Sequence, residues 1–200
     1  MLSFDPSNNT DKENHKLLIG SIIPRPIAFV TSIAENGTVN GAPFSYFNVV
    51  SSNPPMISIS VQRIKGTAKD TARNIKENKE FVVHIVDEQN VNKINETAAT
   101  LPSDESEIEK ADLTRTESES VSVPGIKEAK VRLECTLERS IELGENNVTD
   151  LIIGKVVRYH IDEEIYDAGR IDPNALAAVS RLAGSNYSKT GDIFSMERPK

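Results

Sequence analysis

Two basic side chains stand at positions where the sequence could bind an anion. Arg25 lies between two prolines in "IPRPIAFVTS", so its guanidinium leaves a backbone with restricted φ angles and loses little chain entropy on binding. Lys69 and Thr71 flank a predicted helix start in "TAKDTARNI", where free backbone N–H groups and the helix dipole favour negative charge. Each motif alone fits a structural role equally well, namely an exposed arginine at a strand entry and a helix capped by Asp70. Taken together, they indicate a phosphate-binding site.

A second polar surface is predicted on the segment "VNGAPFSYFNVVSSNPPMISISV". Successive side chains of a strand point to opposite faces, and here both faces carry aromatic and hydrogen-bonding groups, among them Ser45, Phe47 and Asn48. Ser60 lies on the small polar face of the following strand, "MISISV". Such walls suit a planar ring with hydrogen-bonding edges. With the phosphate site, they predict flavin mononucleotide (FMN) as the ligand.

Other common chemistries lack their signatures. The sequence contains neither G-x-x-x-x-G-K-[ST] nor G-x-G-x-x-G, so neither a P-loop nor a Rossmann dinucleotide site is predicted. His15, His84 and His160 are scattered without metal-ligand spacing, and no metal site is expected. His84 lies in the apolar run "FVVHIV" and Cys135 lies in mid-strand, so packing is favoured over catalysis for both.

Composition and charge narrow the class of protein. Of 200 residues, 38% are hydrophobic and 26% are charged, which is typical of a globular protein, and we expect one domain over residues 1–200. The net charge of −7, without a Lys/Arg cluster, argues against nucleic acid as a partner. The single cysteine leaves no internal disulfide. No apolar run could span a membrane and the N-terminus is too polar for a signal peptide, so we expect a cytoplasmic protein with no membrane partner.

The elements that would position these groups are mostly strands. The apolar run "AFVTSIA" is followed by Asn36 and Gly37, which favour a tight turn, so the first two strands should pair as an antiparallel hairpin. Further strands are predicted at "MISISV", "FVVHIV", "AKVRLECTLERSIEL" and "DLIIGKVVRYHI". Gly154, inside the last of these, indicates a bulge or the close approach of another group.

Short helices and one irregular segment complete the expected fold. Helices are predicted from Asp70, within residues 90–101 and near the C-terminus, and residues 103–122 are expected to form an exposed acidic excursion. The pattern predicts a mainly β fold of the α+β class, an antiparallel barrel with short helices.

Five segments together resemble one known family: "IGSIIPRPIAFVTS", "NGAPFSYFNVVSSNPPMISISV", "KDTARNI", "RLEC" and "RLAGSNYSKTGDIFSMERP". This ordered set is similar to the flavin reductase-like, FMN-binding split-barrel family, in the branch of flavoredoxins and the small reductase components of two-component monooxygenases. The resemblance implies a split β-barrel that forms a homodimer, with FMN near the subunit interface. The family's cofactor-binding pattern falls here on Thr31, Ser32, Ser45, Phe47, Asn48, Ser60, Val61, Lys69, Asp70 and Thr71.

The same resemblance implies an activity. It is that of an oxidoreductase that takes a hydride from NADH or NADPH and delivers reducing equivalents to free flavin, iron or a partner monooxygenase. FMN is expected rather than FAD, because one helix start satisfies one terminal phosphate and the sequence has no second glycine-rich loop for a pyrophosphate. Two alternatives stay open: an FMN electron-transfer protein without nicotinamide activity, and a non-catalytic flavin-binding module.

Two residues are candidates for shaping the open face of the flavin. They are His160, at the end of "IIGKVVRYH", and Tyr187, between glycines in "GSNYSKTG". The alternatives are a surface histidine at a strand end and a tyrosine that packs the tail against the barrel.

Overall fold

One seven-stranded antiparallel sheet forms the centre of the molecule. The computed structural model describes residues 1–99, 101 and 105–199. The strands of all the sheets in this part of the chain are, in chain order, β1 Arg25–Pro26, β2 Ala28–Ile33, β3 Val39–Phe44, β4 Phe47–Ser52, β5 Pro55–Gln62, β6 Glu80–Ile85, β7 Arg115–Thr116, β8 Gly125–Ile126, β9 Val131–Leu143, β10 Thr149–Ile161, β11 Tyr166–Asp167, β12 Arg170–Ile171, β13 Val179–Arg181 and β14 Tyr187–Lys189. The large sheet has the strand order β3-β2-β6-β9-β10-β5-β4.

The sheet curls around a cluster of buried apolar side chains. Strands β3 and β4 stand at opposite ends of the strand order, yet Phe44 of β3 shares a buried cluster with Ile59 of β5, and Phe47 of β4 packs against that cluster. Along β5, Ile57, Ile59 and Val61 are buried and the serines between them are half-buried, as the period-2 pattern predicts. The mainly β fold predicted from the sequence is confirmed.

The predicted hairpin near the N-terminus is also present. Strands β2 and β3 pair antiparallel from Ala28 opposite Phe44 to Ile33 opposite Val39. Gly37 in the connecting turn has a φ of 86°, a left-handed conformation that glycine adopts without strain. The local turn signal therefore set the register of the first strand pair.

Gly154 on β10 lies against the Phe81 ring of β6, and β9 separates these two strands in the sheet. A Cβ atom at this position would come within 2.3 Å of Cζ of Phe81 and 3.4 Å of Cβ of Cys135. The pairing of β10 with β9 shifts register between Ile153 and Gly154, which marks a bulge. Both sequence-based readings of Gly154, a bulge and a close approach, are confirmed.

Within the described residues, five α-helices accompany the sheet: α1 Asp11–Ser21, α2 Asp70–Asn78, α3 Val91–Glu96, α4 Glu107–Lys110 and α5 Pro173–Leu176. Helix α1 begins with a capping box between Thr10 and Glu13, and none of its residues is buried. The N-cap of α2 is Lys69 rather than Asp70, and no side chain caps it. The predicted cap at Asp70 is therefore wrong by one position, because the Asp70 carboxylate pairs with Arg73 at 2.7 Å instead.

The acidic segment is less exposed than the sequence suggested. Within its described part, from residue 105, Ile108 and Leu113 are buried in a second apolar cluster. The Glu107 carboxylate accepts a hydrogen bond from the Gly41 N–H at 3.2 Å, and burial raises the pKa of this carboxyl. The expectation of an exposed excursion is thus wrong for these residues, and residues 103–104 lie outside the described part of the chain.

A small sheet joins the two ends of the chain. Strand β1 pairs with β13, and β13 pairs with β14, so that Arg25 lies opposite Arg181 and Arg181 lies opposite Tyr187. No helix in the described ranges is both long enough and apolar enough to cross a membrane.

Candidate functional site

A cleft of about 390 Å³ opens between the large sheet and the small sheet. Residues from several parts of the chain contribute to it: α1, β1 and the residue after it, the end of β3 with the β3–β4 connection, β5, the N-cap of α2, the residue after β6, α3 and the β13–β14 hairpin. Its polar and aromatic lining residues are His15, Arg25, Phe44, Ser45, Tyr46, Ser60, Gln62, Lys69, Asn95, Arg181 and Tyr187. Volumes of this order are typical of small-molecule and cofactor sites.

The lining has a charge opposite to that of the whole chain. Arg25, Lys69 and Arg181 face the cleft, and none of the lining residues within the described part of the chain is Asp or Glu. The chain as a whole carries a net charge of −7. A cationic, partly apolar cleft in an acidic protein favours an anionic ligand with a hydrophobic body.

Arg25 holds the two ends of the cleft together and keeps one donor free. Its guanidinium donates to the carbonyls of Ile19 at 2.7 Å, Ile22 at 2.6 Å and Leu182 at 2.9 Å. The side chain is buried, with 7% of its surface exposed, and its Nε–H has no partner among the described residues. A buried unpaired donor is costly, and this N–H has almost no accessible surface in the single chain.

Lys69 lies at the start of α2 with its ammonium unpaired. No ion pair or hydrogen bond of its Nζ is present within residues 1–99, 101 and 105–199, and Nζ lies 5.9 Å from the centre of the Phe44 ring. The first backbone N–H groups of α2 also lack a side-chain cap. A cation beside uncapped N–H groups is a suitable environment for a phosphate.

Tyr187, on strand β14, forms part of one wall of the cleft. Its hydroxyl donates to Oδ1 of Asn95 on α3 at 3.0 Å and accepts from the Arg181 guanidinium. The Arg181 guanidinium also lies 4.5 Å from the centre of the Tyr187 ring, within the range of a cation–π contact, and donates to the Gly184 carbonyl at 2.6 Å. These contacts fix the β13–β14 hairpin against α3.

The predicted site residues divide into two groups. Those that line the cleft are Arg25, Ser45, Ser60, Lys69 and Tyr187. Those that lie outside it in a single chain are Thr31, Ser32, Phe47, Asn48, Val61, Asp70, Thr71 and His160.

Three hydroxyl residues of the second group are engaged inside the protein. Thr31 is buried and donates to the Pro124 carbonyl at 2.7 Å. Ser32 is buried and accepts from the Asn74 amide at 3.3 Å, and the buried Thr71 hydroxyl bonds the Asn40 side chain at 2.9 Å. Their roles toward a cofactor stay predictions, and within one chain their side chains bond protein groups.

The remaining strand residues of that group have different surroundings. Val61 is buried in the core and Phe47 packs against it. Asn48 is exposed on β4, where its Oδ1 accepts from the Val49 N–H at 2.8 Å. Because β4 is the last strand of the sheet, Asn48 faces a surface that a second subunit could cover.

His160 belongs to a separate polar cluster. Its Nε2 lies against Oε1 of Glu134, which is fully buried and also accepts the N–H groups of Glu119 at 2.8 Å and Ser120 at 2.6 Å. Burial raises the pKa of the Glu134 carboxyl, but these hydrogen bonds outweigh burial and leave the pKa below its usual value. A single chain therefore does not bring His160 to the cleft, and its predicted role at the flavin has no support from this geometry.

His84 and Cys135 have the structural roles predicted for them. His84 is completely buried, with Nδ1 at 3.0 Å from the Phe29 carbonyl oxygen and Nε2 accepting the Ile126 N–H at 3.0 Å. Burial lowers the pKa of His84 to about 3, so the ring is neutral. Burial raises the pKa of the Cys135 thiol, which keeps it protonated and unreactive.

Several lining residues were missed by the sequence analysis. His15 comes from the N-terminal helix, with Nδ1 3.3 Å from the Tyr46 hydroxyl, and Asn95 comes from α3. Arg181 lies within the quoted "RLAGSNYSKTG" motif, which was the one available signal for it. Their presence in the cleft depends on contacts between distant parts of the chain.

A family model described as "Flavin reductase like domain" matches residues 19–176. Among curated proteins, YwrF of Bacillus subtilis, described as uncharacterized, is 53% identical over 204 residues, covering 100% of this chain and 100% of that protein.

Two solved structures are similar in both sequence and fold. Nitrilotriacetate monooxygenase component B from Bacillus cereus has a TM-score of 0.96 and 59% identity, covering 98% of each chain. The 2-nitrobenzoate 2-nitroreductase NbaA of Pseudomonas fluorescens has a TM-score of 0.90 and 32% identity, covering 99% of this chain and 96% of that chain.

Proposed function

The chain belongs to the flavin reductase-like family and is in general terms a flavin oxidoreductase, and from that premise we propose that it binds FMN and reduces it with NADH or NADPH. The observation that carries this proposal is the cleft itself: its described lining contains three basic side chains and no acidic one, in a protein that is acidic as a whole.

The residues of the cleft fit FMN. Phe44 and Tyr46 offer ring surfaces, Ser45 and Ser60 offer hydroxyl groups, and the Arg25 guanidinium contributes positive charge to the lining. Lys69 and the uncapped N–H groups of α2 would hold the single phosphate. Lys69 stands at one helix start, and the sequence has no second glycine-rich loop for a pyrophosphate, which suits FMN better than FAD.

The protein's contribution to the reaction is binding and orientation. Bound FMN would supply the chemistry, accepting a hydride from the nicotinamide and passing electrons on. Tyr187 is held in place by Asn95 and Arg181, so it presents a fixed wall to whatever enters the cleft. Because none of the lining residues among those described is Asp or Glu, the side chains there would add no negative charge beside the bound cofactor.

Anaerobic mixing tests the proposed activity. We expect the flavin absorbance of the FMN-loaded protein to bleach when NADH or NADPH is added, because the proposed hydride transfer requires the nicotinamide and flavin rings to be held together in one site. Free FMN at the same concentration serves as the control for uncatalysed reduction. If neither nicotinamide bleaches the bound flavin while dithionite does, the electron-transfer alternative replaces this proposal.

The proposed electron acceptor is a separate oxygenase component. Support comes from the relative with 59% identity, which is named as component B of a monooxygenase. A second candidate is direct reduction of a nitro compound, which the similarity to a 2-nitroreductase favours. Consumption of NAD(P)H that depends on an added nitroaromatic, without any second protein, would support the second candidate.

We also propose that two copies of the chain assemble. The ring of Phe44 belongs to the chain's own core and that of Phe47 packs against it, so these rings do not support the assembly. The support is an apolar surface elsewhere: Val49 and Val50 on the end strand β4 are 72% and 49% exposed, and Ile22 after α1 is 60% exposed.

Sedimentation tests the assembly. We expect the wild type to behave as a dimer and Val49→Asp to shift it toward monomer, because a buried unpaired carboxylate opposes association. Val148→Asp is the matched control, since Val148 is 50% exposed in the β9–β10 connection. A wild-type monomer that still holds FMN would contradict the proposal.

A further inference from the structure

A second cavity of about 470 Å³ adjoins the cleft. The two spaces share three lining residues, Val91, Asn95 and Tyr187. The hydrogen bond between the Tyr187 hydroxyl and Asn95 therefore forms a ridge, with the cleft on one side and the second cavity on the other.

The second cavity has the chemical character of a nucleoside site. The Tyr187 ring and the apolar side chains of Val91 and Val179 supply surfaces for a flat base, and Asn92 and Ser188 supply hydrogen-bonding groups. These groups lie on α3 and on the β13–β14 ribbon, which the Tyr187 contacts fasten together.

Basic side chains stand on both sides of the ridge. Arg181 lines the cleft, and Lys189 lines the second cavity from the same two-stranded ribbon. A diphosphate that crossed the ridge would pass between two cations. A nicotinamide dinucleotide has its two nucleosides on either side of such a diphosphate, which matches two adjoining spaces with a cation on each side of the ridge.

We infer that the second cavity binds the adenosine half of the nicotinamide dinucleotide and that Glu88 makes it prefer NADH over NADPH. The nicotinamide part of this inference rests on the proposed function. The Glu88 carboxylate lines the cavity, and its one recorded partner within the described residues is the ammonium of Lys189, which is 72% exposed. A ribose 2′-hydroxyl can donate to this carboxylate, whereas a 2′-phosphate meets a like charge.

Direct binding of ADP-ribose to the FMN-loaded protein tests the site without any electron transfer. Asn92 is exposed and lines the second cavity but not the cleft, so Asn92→Trp should fill the cavity and weaken ADP-ribose binding at least about tenfold while FMN binding is unchanged. Glu96→Trp is the matched control, because Glu96 is exposed on the same helix and lines neither space. Its ADP-ribose affinity should equal that of the wild type.

The second measurement compares two ligands that differ in charge, and it uses a substitution that does not add bulk to the cavity. The wild type should bind ADP-ribose about tenfold more tightly than its 2′-phosphate, and Glu88→Gln should remove most of that difference, with Glu96→Gln as the control for charge. ADP-ribose binding that is absent in the wild type, or unchanged in Asn92→Trp, overturns the site. Unchanged selectivity in Glu88→Gln overturns the role of Glu88.

The two proposals fail in different ways. NADH bleaching with no effect of Asn92→Trp on ADP-ribose would leave the reductase and remove the second site. ADP-ribose binding that Asn92→Trp weakens, in a protein that neither nicotinamide reduces, would leave the site and remove the hydride step.

Discussion

Replacing Lys69 with Glu is expected to weaken FMN binding by about 30- to 150-fold, which corresponds to about 2–3 kcal/mol for a lost charge-assisted contact. The Lys69 ammonium has no partner within the described residues and stands at the uncapped start of α2, so its charge is available to a phosphate. The variant replaces it with a carboxylate that repels the same phosphate. Fluorescence titration of the flavin-free protein with FMN measures the change.

Riboflavin and a second lysine provide the controls. Riboflavin has the ring but no phosphate, so its affinity should change much less in Lys69→Glu than that of FMN. Lys65→Glu makes the same charge change four residues earlier, at an exposed position that does not line the cleft, and should bind FMN as the wild type does. Equal losses of FMN and riboflavin affinity would place Lys69 away from the phosphate.

Gly154→Ala should destabilise the protein by about 3 kcal/mol, at the upper end of the usual cost of overpacking. The added Cβ would stand 2.3 Å from Cζ of Phe81, whose side chain is completely buried and has no free space to move into. In a chain of this size the loss corresponds to a fall of about 6–12 °C in melting temperature. Calorimetry at matched protein concentration measures it, since subunit association also affects the melting temperature.

Two further variants test the cause of this loss. Gly20→Ala, in α1, adds a Cβ that has no neighbour within 4 Å, and it should leave the melting temperature unchanged or raise it. Combining Gly154→Ala with Phe81→Leu should cost less than the sum of the two single changes, because the clashing ring is gone. Strict additivity would show that the Phe81 contact is not the source of the loss.

Local signals in the sequence predicted the fold well. The Asn36–Gly37 turn, the alternation along β5 and the mid-strand Gly154 each depend on residues close together in sequence, and the structure confirms them. The start of α2 was misplaced by one residue, because Asp70 found a partner in Arg73 rather than in the backbone.

The candidate site was predicted only in part, because its contacts are long-range. Thr31 carries a hydroxyl in a suggestive motif, but Pro124, 93 residues away, takes its hydrogen bond. Arg25 was correctly singled out, yet the three carbonyls that fix it come from both ends of the chain. The residue pattern around Thr31 or Arg25 does not predict hydrogen-bond partners that are so far away in sequence.

The bonds of Arg25 also set the order in which the site can form during synthesis. Two of the carbonyls that accept hydrogen bonds from Arg25, those of Ile19 and Ile22, are synthesised early. The third, that of Leu182, leaves the ribosome after all seven strands of the large sheet. Folding can begin while the chain is still being synthesised. The barrel can therefore assemble on the nascent chain before the cleft is closed, and flavin loading becomes one of the last steps in the maturation of this protein.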